Sequence, residues 1–475
     1  MIKNPADFYK ELIQKFSYEP TEKQLQLIDE LSHFVFDNSN ESLFLLKGYA
    51  GTGKTTVIST IVNSLWRAGK KAVLLAPTGR AAKVISGYSN KQAFTIHKKI
   101  YFPKKQTNGG VSFVMQPNKH TDTLFIVDEA SMISDQVQNA KLFENGSVLD
   151  DLISYVYSGK KCKLLFIGDT AQLPPVKLEV SPALDADILS LHYNKDISEI
   201  ELDEVVRQQQ DSGILANATD LRLLIQNEGV DFKFDVNYPD VIRLQDGYDI
   251  QDAITQAYDG EIGVEDTAII VRSNKRANQY NQQIRTKIRG QENEISVGDY
   301  VMVVKNNYFW LKDSSSAGFI ANGDTCEVMR INAINELYGF KFADVIVRMI
   351  DYTDMKPFET VLLLDTLTSE SPSLTYEESN KLYEAVKEDF AHEKSKYKQF
   401  MGVKQNKYFN ALQVKFSYAI TCHKSQGGQW KTVFIEQPYL PDGISVEYLR
   451  WLYTAVTRAQ EKLYLIGFSD DYFLE

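Results

Sequence analysis

Three cysteines in 475 residues, at positions 162, 326 and 422, are too few and too widely separated for a disulfide framework, and no pair has zinc-site spacing. That scarcity fits a reducing compartment, and the cytoplasm is the expected location. No apolar run reaches the roughly 20 residues that a membrane span needs. The start, Met-Ile-Lys-Asn-Pro-Ala-Asp, lacks the apolar segment of a secretory signal. Internal repeats and low-complexity tracts are missing as well. One further absence is local: Ser42 to Thr121 contains no Asp or Glu, yet holds 13 Lys or Arg. The remainder carries 39 basic and 63 acidic residues, so the net charge of −11 hides a basic segment in an acidic body. Such asymmetry can build one positive surface for phosphate groups.

What is present reads as two α/β halves. Hydrophobic residues make up 43% and charged residues 24%, ordinary for a globular chain. The first 40 residues look helical, with a start signal at Pro20-Thr21. Leu43–Leu46, Ala72–Leu75, Leu124–Val127 and Leu164–Ile167 are short apolar runs separated by helical patterns, as in a parallel sheet with covering helices. Ala268–Val271, Phe416–Ile420, Thr432–Ile435 and Lys462–Ile466 form a second set, with helices at Asn274 to Ile288 and Val446–Arg458. Between them, Gly298–Lys305, Thr325–Ile331, Lys341–Ile350 and Thr360–Asp365 suggest an antiparallel β module. The predicted division is 1–190 with a hairpin insertion at 98–121, then 191–290 plus 411–475, with 291–410 inserted. The hairpin turn is expected at Asn108-Gly109-Gly110.

Gly48-Tyr49-Ala50-Gly51-Thr52-Gly53-Lys54-Thr55 follows an apolar strand and opens a helix, the setting that marks a P-loop. Its backbone N–H groups, with Thr56 beyond, would cradle ATP phosphates. Lys54 would neutralise β- and γ-phosphate charge, and Thr55 would ligate Mg²⁺. Asp128 and Glu129 end the strand Leu124–Val127; the first is assigned to the metal and the second to general-base work. Gln172, in the turn after Leu165–Gly168, is placed to sense the γ-phosphate.

These segments together resemble superfamily 1B helicases, the 5′-to-3′ group with RecD-like, Pif-like and phage Dda-like members. Thr21-Glu22-Lys23-Gln24 is similar to the Q motif, in which Gln24 would read adenine. Ala76 to Lys83, Thr95-Ile96-His97, Asp128 to Met132, Gly168 to Val176, Glu204 to Gln208, Thr421 to Gly427 and Tyr453 to Ala459 look like motifs Ia, Ib, II, III, IV, V and VI. The resemblance implies two RecA-like domains with ATP between them, the hairpin in the first and an SH3-like module in the second. It also implies arginine fingers at Arg207 and Arg458 from the second domain. A guanidinium that reaches the γ-phosphate only in a closed cleft couples hydrolysis to domain motion.

The implied partner is single-stranded DNA and its junction with duplex, bound by a monomer, with repair or recombination as the setting. Pro77, Thr78, Arg80, Lys83, Thr95 and His97 are the expected contacts from the first domain. Thr421, His423, Lys424 and Ser425 are the second-domain counterparts. Backbone phosphate contacts and stacking would hold the strand without base readout. Phe113 on the hairpin is the first candidate for a duplex-splitting wedge, with Phe102 second. Two other readings remain open: a strand translocase, on DNA or RNA, that unwinds weakly, and a P-loop regulatory ATPase.

Overall fold

The computed structural model describes residues 1–474 apart from 106–110, 137–146, 207–210, 261–262, 312–318 and 353, and omits side chains at 103–105 and 111–112. The expected turn at Asn108-Gly109-Gly110 and the candidate finger Arg207 therefore lie outside the described residues.

In the first half, β1 (Ser42–Gly48), β2 (Lys71–Ala76), β3 (Ala93–Thr95), β6 (Thr123–Val127), β7 (Lys163–Gly168) and β8 (Asp196–Leu202) form one parallel sheet, ordered β3-β2-β6-β7-β1-β8. Every residue of β6 and β7 is buried. Helices cover both faces of such a sheet, which is why these strands read as unbroken apolar runs. The helix Glu22–Phe36 starts at a capping box between Thr21 and Gln24. A separate hairpin, β4 (Tyr101–Lys105) with β5 (Val111–Met115), rises between β3 and β6. The first domain does not stop at 190. β8 pairs along its full length with β1, and its largely exposed edge explains why it carries no apolar run.

The second half has its own parallel sheet, begun by β9 (Val241–Leu244) and β10 (Thr267–Val271). The chain then leaves to build a closed barrel from β11 (Tyr300–Val303), β12 (Thr325–Leu337), β13 (Phe340–Met349), β14 (Phe358–Leu363) and β15 (Leu412–Phe416). Tyr338 and Gly339, both at positive φ, turn β12 tightly into β13. Helices Tyr376–Glu388 and Lys396–Gln405 pack on the barrel through Leu382, Val386 and Val403. The sheet resumes with β16 (Ala419–Thr421), β17 (Trp430–Glu436) and β18 (Ala459–Ile466), in the order β16-β10-β17-β18-β9.

Two expectations need correcting here. Phe416–Ile420 is not one strand of the second sheet. β15 closes the barrel, so the inserted module runs past 410 to Phe416, and only Ala419–Thr421 joins the sheet. Tyr418 makes the break. Its ring is fully buried, its hydroxyl donates to Asp299 Oδ1 at 2.9 Å, and its carbonyl accepts from Ile269 N at 3.2 Å. Asp299 in turn pairs with Arg285 at 2.8 Å, with both side chains excluded from solvent. Removing one member strands the other charge in the interior. Arg285→Ala is expected to lower unfolding free energy by about 3–5 kcal/mol, measured by urea denaturation. A loss of about 1 kcal/mol or less, typical of an exposed pair, would refute this.

Candidate nucleotide and nucleic-acid site

The register of the first sheet assembles the candidate nucleotide site. Lys47 lies opposite Gly168, and Val127 opposite Phe166, so Gly48, Asp128 and Asp169 leave the sheet along one carboxyl edge. A cavity of about 1790 Å³ opens there, lined by Gln24, residues 49–56, Asp128, Glu129, Gln172 and Arg458. Lys54 begins the helix Lys54–Ser64 and folds back along the loop, its Nζ donating to the carbonyls of Gly48 (2.6 Å) and Tyr49 (2.7 Å). Burial lowers its pKa, against the pull of Asp169, Asp128 and Glu129. Gln24 is buried against the same loop. Its Nε2 donates to Thr52 O at 3.0 Å while its Oε1 accepts from Thr21 N at 3.0 Å. Each amide atom keeps a further hydrogen-bonding position for a base edge.

Asp128 Oδ1 accepts from Glu129 N at 2.9 Å, and its Oδ2 accepts from the Tyr88 hydroxyl at 2.7 Å. Tyr88, on the helix Gly79–Ser89, carried no sequence signal of its own. Glu129 sits at φ 53°, ψ 39°, a left-handed conformation uncommon for a residue with a side chain. Its carboxyl pKa is raised, chiefly by burial and also by Asp128 and Asp169, while Arg458 and Lys54 oppose the rise. Gln172 Oε1 is buried with no hydrogen-bond partner, a polar atom that a water or ligand would satisfy. Thr55 is exposed at the cavity wall. A hydroxyl and a carboxylate are hard oxygen donors, the kind magnesium takes beside phosphate oxygens, so Thr55 and Asp128 fit the ion expected there.

Arg458 comes from the second sheet's side. It follows the helix Val446–Val456 and is 3% exposed. Its guanidinium donates to Thr454 O (2.9 Å), Gly428 O (3.2 Å) and Thr457 Oγ1 (3.1 Å), and Nη1 lies 3.9 Å from Glu129 Oε1. That helix and Gln426 together grip the turn after β7. Leu173 N donates to Thr454 Oγ1 at 2.9 Å, Gln426 Nε2 donates to Leu173 O at 2.7 Å, and Arg450 donates to Thr170 O. Arg207 lies outside the described residues, which break off at Val206 just before it. Val206 itself follows β8 of the first sheet, and its N donates to Gly51 O at 3.1 Å.

The expected strand contacts do not all share one surface. Pro77, Thr78, Thr421 and Lys424 are half-buried and His423 is exposed, at the carboxyl edges of β2 and β16. The two edges meet closely at Gly427, whose φ is 72° and where a Cβ would come within 2.9 Å of Ala81. Burial, with Lys415 nearby, brings the Lys424 pKa down to about 8. Arg80 and Lys83 instead face the nucleotide cavity. The Arg80 guanidinium lies 3.9 Å above the Trp430 ring, and Lys83 reaches Ile350 O at 3.2 Å and Asp351 at 3.8 Å. Ser425 is fully buried and donates to Cys422 O at 2.8 Å, so its hydroxyl does not face a strand. Thr95 is 5% exposed and caps the helix Ile96–Ile100 through Lys98 N. His97 lies among Tyr101 and Phe319, and burial brings its pKa down to about 4, which leaves it neutral at pH 7.

Phe113 is also misplaced for a wedge. It is 5% exposed, with its ring centroid 4.2 Å from Tyr308 of the barrel unit, and Tyr308 continues to Phe319 at 4.9 Å. Phe102 pairs with Val114, one register step from the Phe113 pair, and therefore occupies the opposite hairpin face, where it is 39% exposed. No helix among the described residues is long and apolar enough to cross a membrane.

The family described as AAA domain matches residues 20–232, and the family described as UvrD-like helicase C-terminal domain matches residues 416–466. An uncharacterised protein of Acanthamoeba polyphaga mimivirus is 26% identical over 93% of this chain and 98% of its own length. The ATP-dependent RecD2 DNA helicase of Deinococcus radiodurans is 28% identical over 42% of this chain and 23% of its own length. The ATP-dependent DNA helicase dda of Enterobacteria phage T4 is 32% identical over 37% of each chain. The chain thus matches well under half the length of either named helicase. A solved Pif1 helicase from Bacteroides, in complex with ADP-AlF3 and ssDNA, is similar over 97% of this chain and 95% of its own, at 16% identity and a TM-score of 0.46. The chain is thus similar to an AAA domain over the first sheet, to a UvrD-like helicase C-terminal domain over part of the second, and over about two fifths of its length to helicases of the RecD2 and dda type.

Proposed function

We propose that this chain is an ATP-dependent DNA helicase that moves 5′ to 3′ along single-stranded DNA and separates duplex ahead of it. The observation that carries the reading is Arg458. It comes from the second sheet, yet stands 3.9 Å from Glu129, across a cavity that the P-loop lines. Glu129 is the general base that activates the attacking water, and Arg458 and Lys54 balance charge on the transferred phosphoryl group. Thr55 and Asp128 would hold Mg²⁺, which when bound neutralises phosphate charge. ATP draws the sheets together and hydrolysis releases them, so a strand held along Pro77, Thr78, Thr421, His423 and Lys424 is passed from one edge to the other. Phe102, on the open face of the hairpin, is the wedge, while Phe113 braces that hairpin on the barrel unit. The working units are 1–202 with the hairpin, the barrel to Phe416 with its two helices, and the second sheet. The RecD2 and dda relatives support DNA as substrate.

The test is strand separation with ATP on duplexes bearing a 5′ or a 3′ single-stranded tail, alongside Lys54→Ala. Unwinding of the 5′-tailed duplex alone, lost in the variant, is the expected result. Preference for the 3′ tail would reverse the direction. Strand-stimulated hydrolysis without unwinding would favour a translocase, and no stimulation would favour a regulatory ATPase.

A further inference from the structure

The Tyr453 hydroxyl is buried where the two sheets meet, and nothing in the proposed chemistry has used it. It donates to Asp169 Oδ2 at 2.6 Å and accepts from Ala50 N at 3.1 Å. Asp169 belongs to the turn after β7, and its other oxygen is held by Ala171 N at 3.0 Å. Ala50 lies within the P-loop. One phenol of the second domain therefore ties together two phosphate-facing segments of the first.

The other end of Tyr453 leads to Arg458. Its carbonyl accepts from Thr457 N (3.0 Å) and from Thr457 Oγ1 (2.9 Å), and that same Oγ1 accepts from Arg458 Nη2 at 3.1 Å. Arg458 Nε is anchored on Thr454 O in the same helical turn. Guanidinium and phenol are thus parts of one hydrogen-bonded block at the helix end. A shift of the P-loop at Ala50 reaches the guanidinium through bonded groups alone. Such a shift is built in: Lys54 now spans the carbonyls of Gly48 and Tyr49, and must leave them to meet a phosphate.

The geometry points to Tyr453 as the positioning residue for Arg458, locking the finger in register with the P-loop through Asp169 and Ala50. The inference rests on the reading of Arg458 as a finger, and deepens it. A phenol that acts only through Arg458 has no effect once Arg458 is gone, whereas a phenol that merely stabilises the interface lowers activity in either background.

The experiment is a double-mutant cycle of Tyr453→Phe and Arg458→Ala, read as single-turnover ATP hydrolysis with saturating single-stranded DNA. Tyr453→Phe keeps the buried ring and removes one oxygen. It is expected to slow hydrolysis about 10²-fold, the scale of a reacting group displaced by an ångström, with KM for ATP changed less than about twofold. Arg458→Ala should be slower still, and the double variant no slower than Arg458→Ala alone. Should Tyr453→Phe lose its native melting transition, Asp169→Asn takes its place in the same cycle. The positioning role is overturned if Tyr453→Phe hydrolyses ATP at the native rate, or if its full factor reappears on top of Arg458→Ala. Arg458→Ala with native activity would remove the finger itself, and this inference with it.

Discussion

Arg458→Ala is expected to slow ATP hydrolysis by about 10³-fold or more, the range of arginine fingers, while nucleotide affinity changes little. Two consequences of its position add up. In the proposed mechanism the guanidinium meets charge on the transferred phosphoryl group. It is also the largest influence lowering a Glu129 pKa that burial and two neighbouring carboxylates raise. A base works only when ionised, so activity falls as pH drops through the Glu129 pKa. Without Arg458 that pKa climbs, and the acidic limb of the rate profile moves to higher pH. The pH profile of the variant therefore separates this role from a structural one. A rate reduced by the same factor at every pH, with the limb unmoved, would show that Arg458 does not hold Glu129 ionised.

Glu129→Gln is the second large effect. The amide keeps the size and can still accept from water, but cannot take its proton. Hydrolysis is expected to fall about 10²–10⁴-fold, the usual share of a positioned base. Lys54, the P-loop amides and Asp128 are untouched, so ATP should still bind and close the cleft. The variant should hold single-stranded DNA in the ATP state for longer than the native protein, seen as slow strand release in fluorescence anisotropy. Native hydrolysis by Glu129→Gln would transfer the base role elsewhere. Unchanged strand release would uncouple the cleft from the strand.

The parts legible in the sequence are those whose meaning is local. A P-loop is eight consecutive residues between a strand and a helix, and Asp128-Glu129 follow their own apolar run. The structure sets them on one edge because register within a parallel sheet does so. What was hidden depends on partners far away in the chain. The stretch from Ser42 to Thr121 is free of acids in sequence but not in space. Lys47 meets Glu199, Arg67 meets Glu11, Lys70 meets Asp122 and Lys83 meets Asp351, so the basic surplus is partly spent within the fold. Phe113 looked like a free ring on a hairpin until Tyr308, nearly two hundred positions later, covered it. β8 stayed hidden for the opposite reason. An edge strand pairs by backbone, and its side chains need not be apolar. Arg458 was found through its neighbours in motif VI, whereas Tyr453 in the same motif had no role until its hydroxyl was seen between Asp169 and Ala50.

The barrel is attached in a way that bears on how such chains change over generations. The chain leaves the second sheet at the end of β10 and returns in β16, and these two strands are hydrogen-bonded neighbours, with Ile269 opposite Ala419. The ends of the excursion therefore lie side by side, as do the ends of a simple loop. A sheet with such a socket tolerates long cargo, short cargo or a plain turn there without altering its own strand order. Length at this point can change without moving the carboxyl edge of the first sheet. Here one internal bolt is the Arg285–Asp299–Tyr418 cluster beneath the socket, which would have to be replaced by apolar packing if the cargo were ever exchanged.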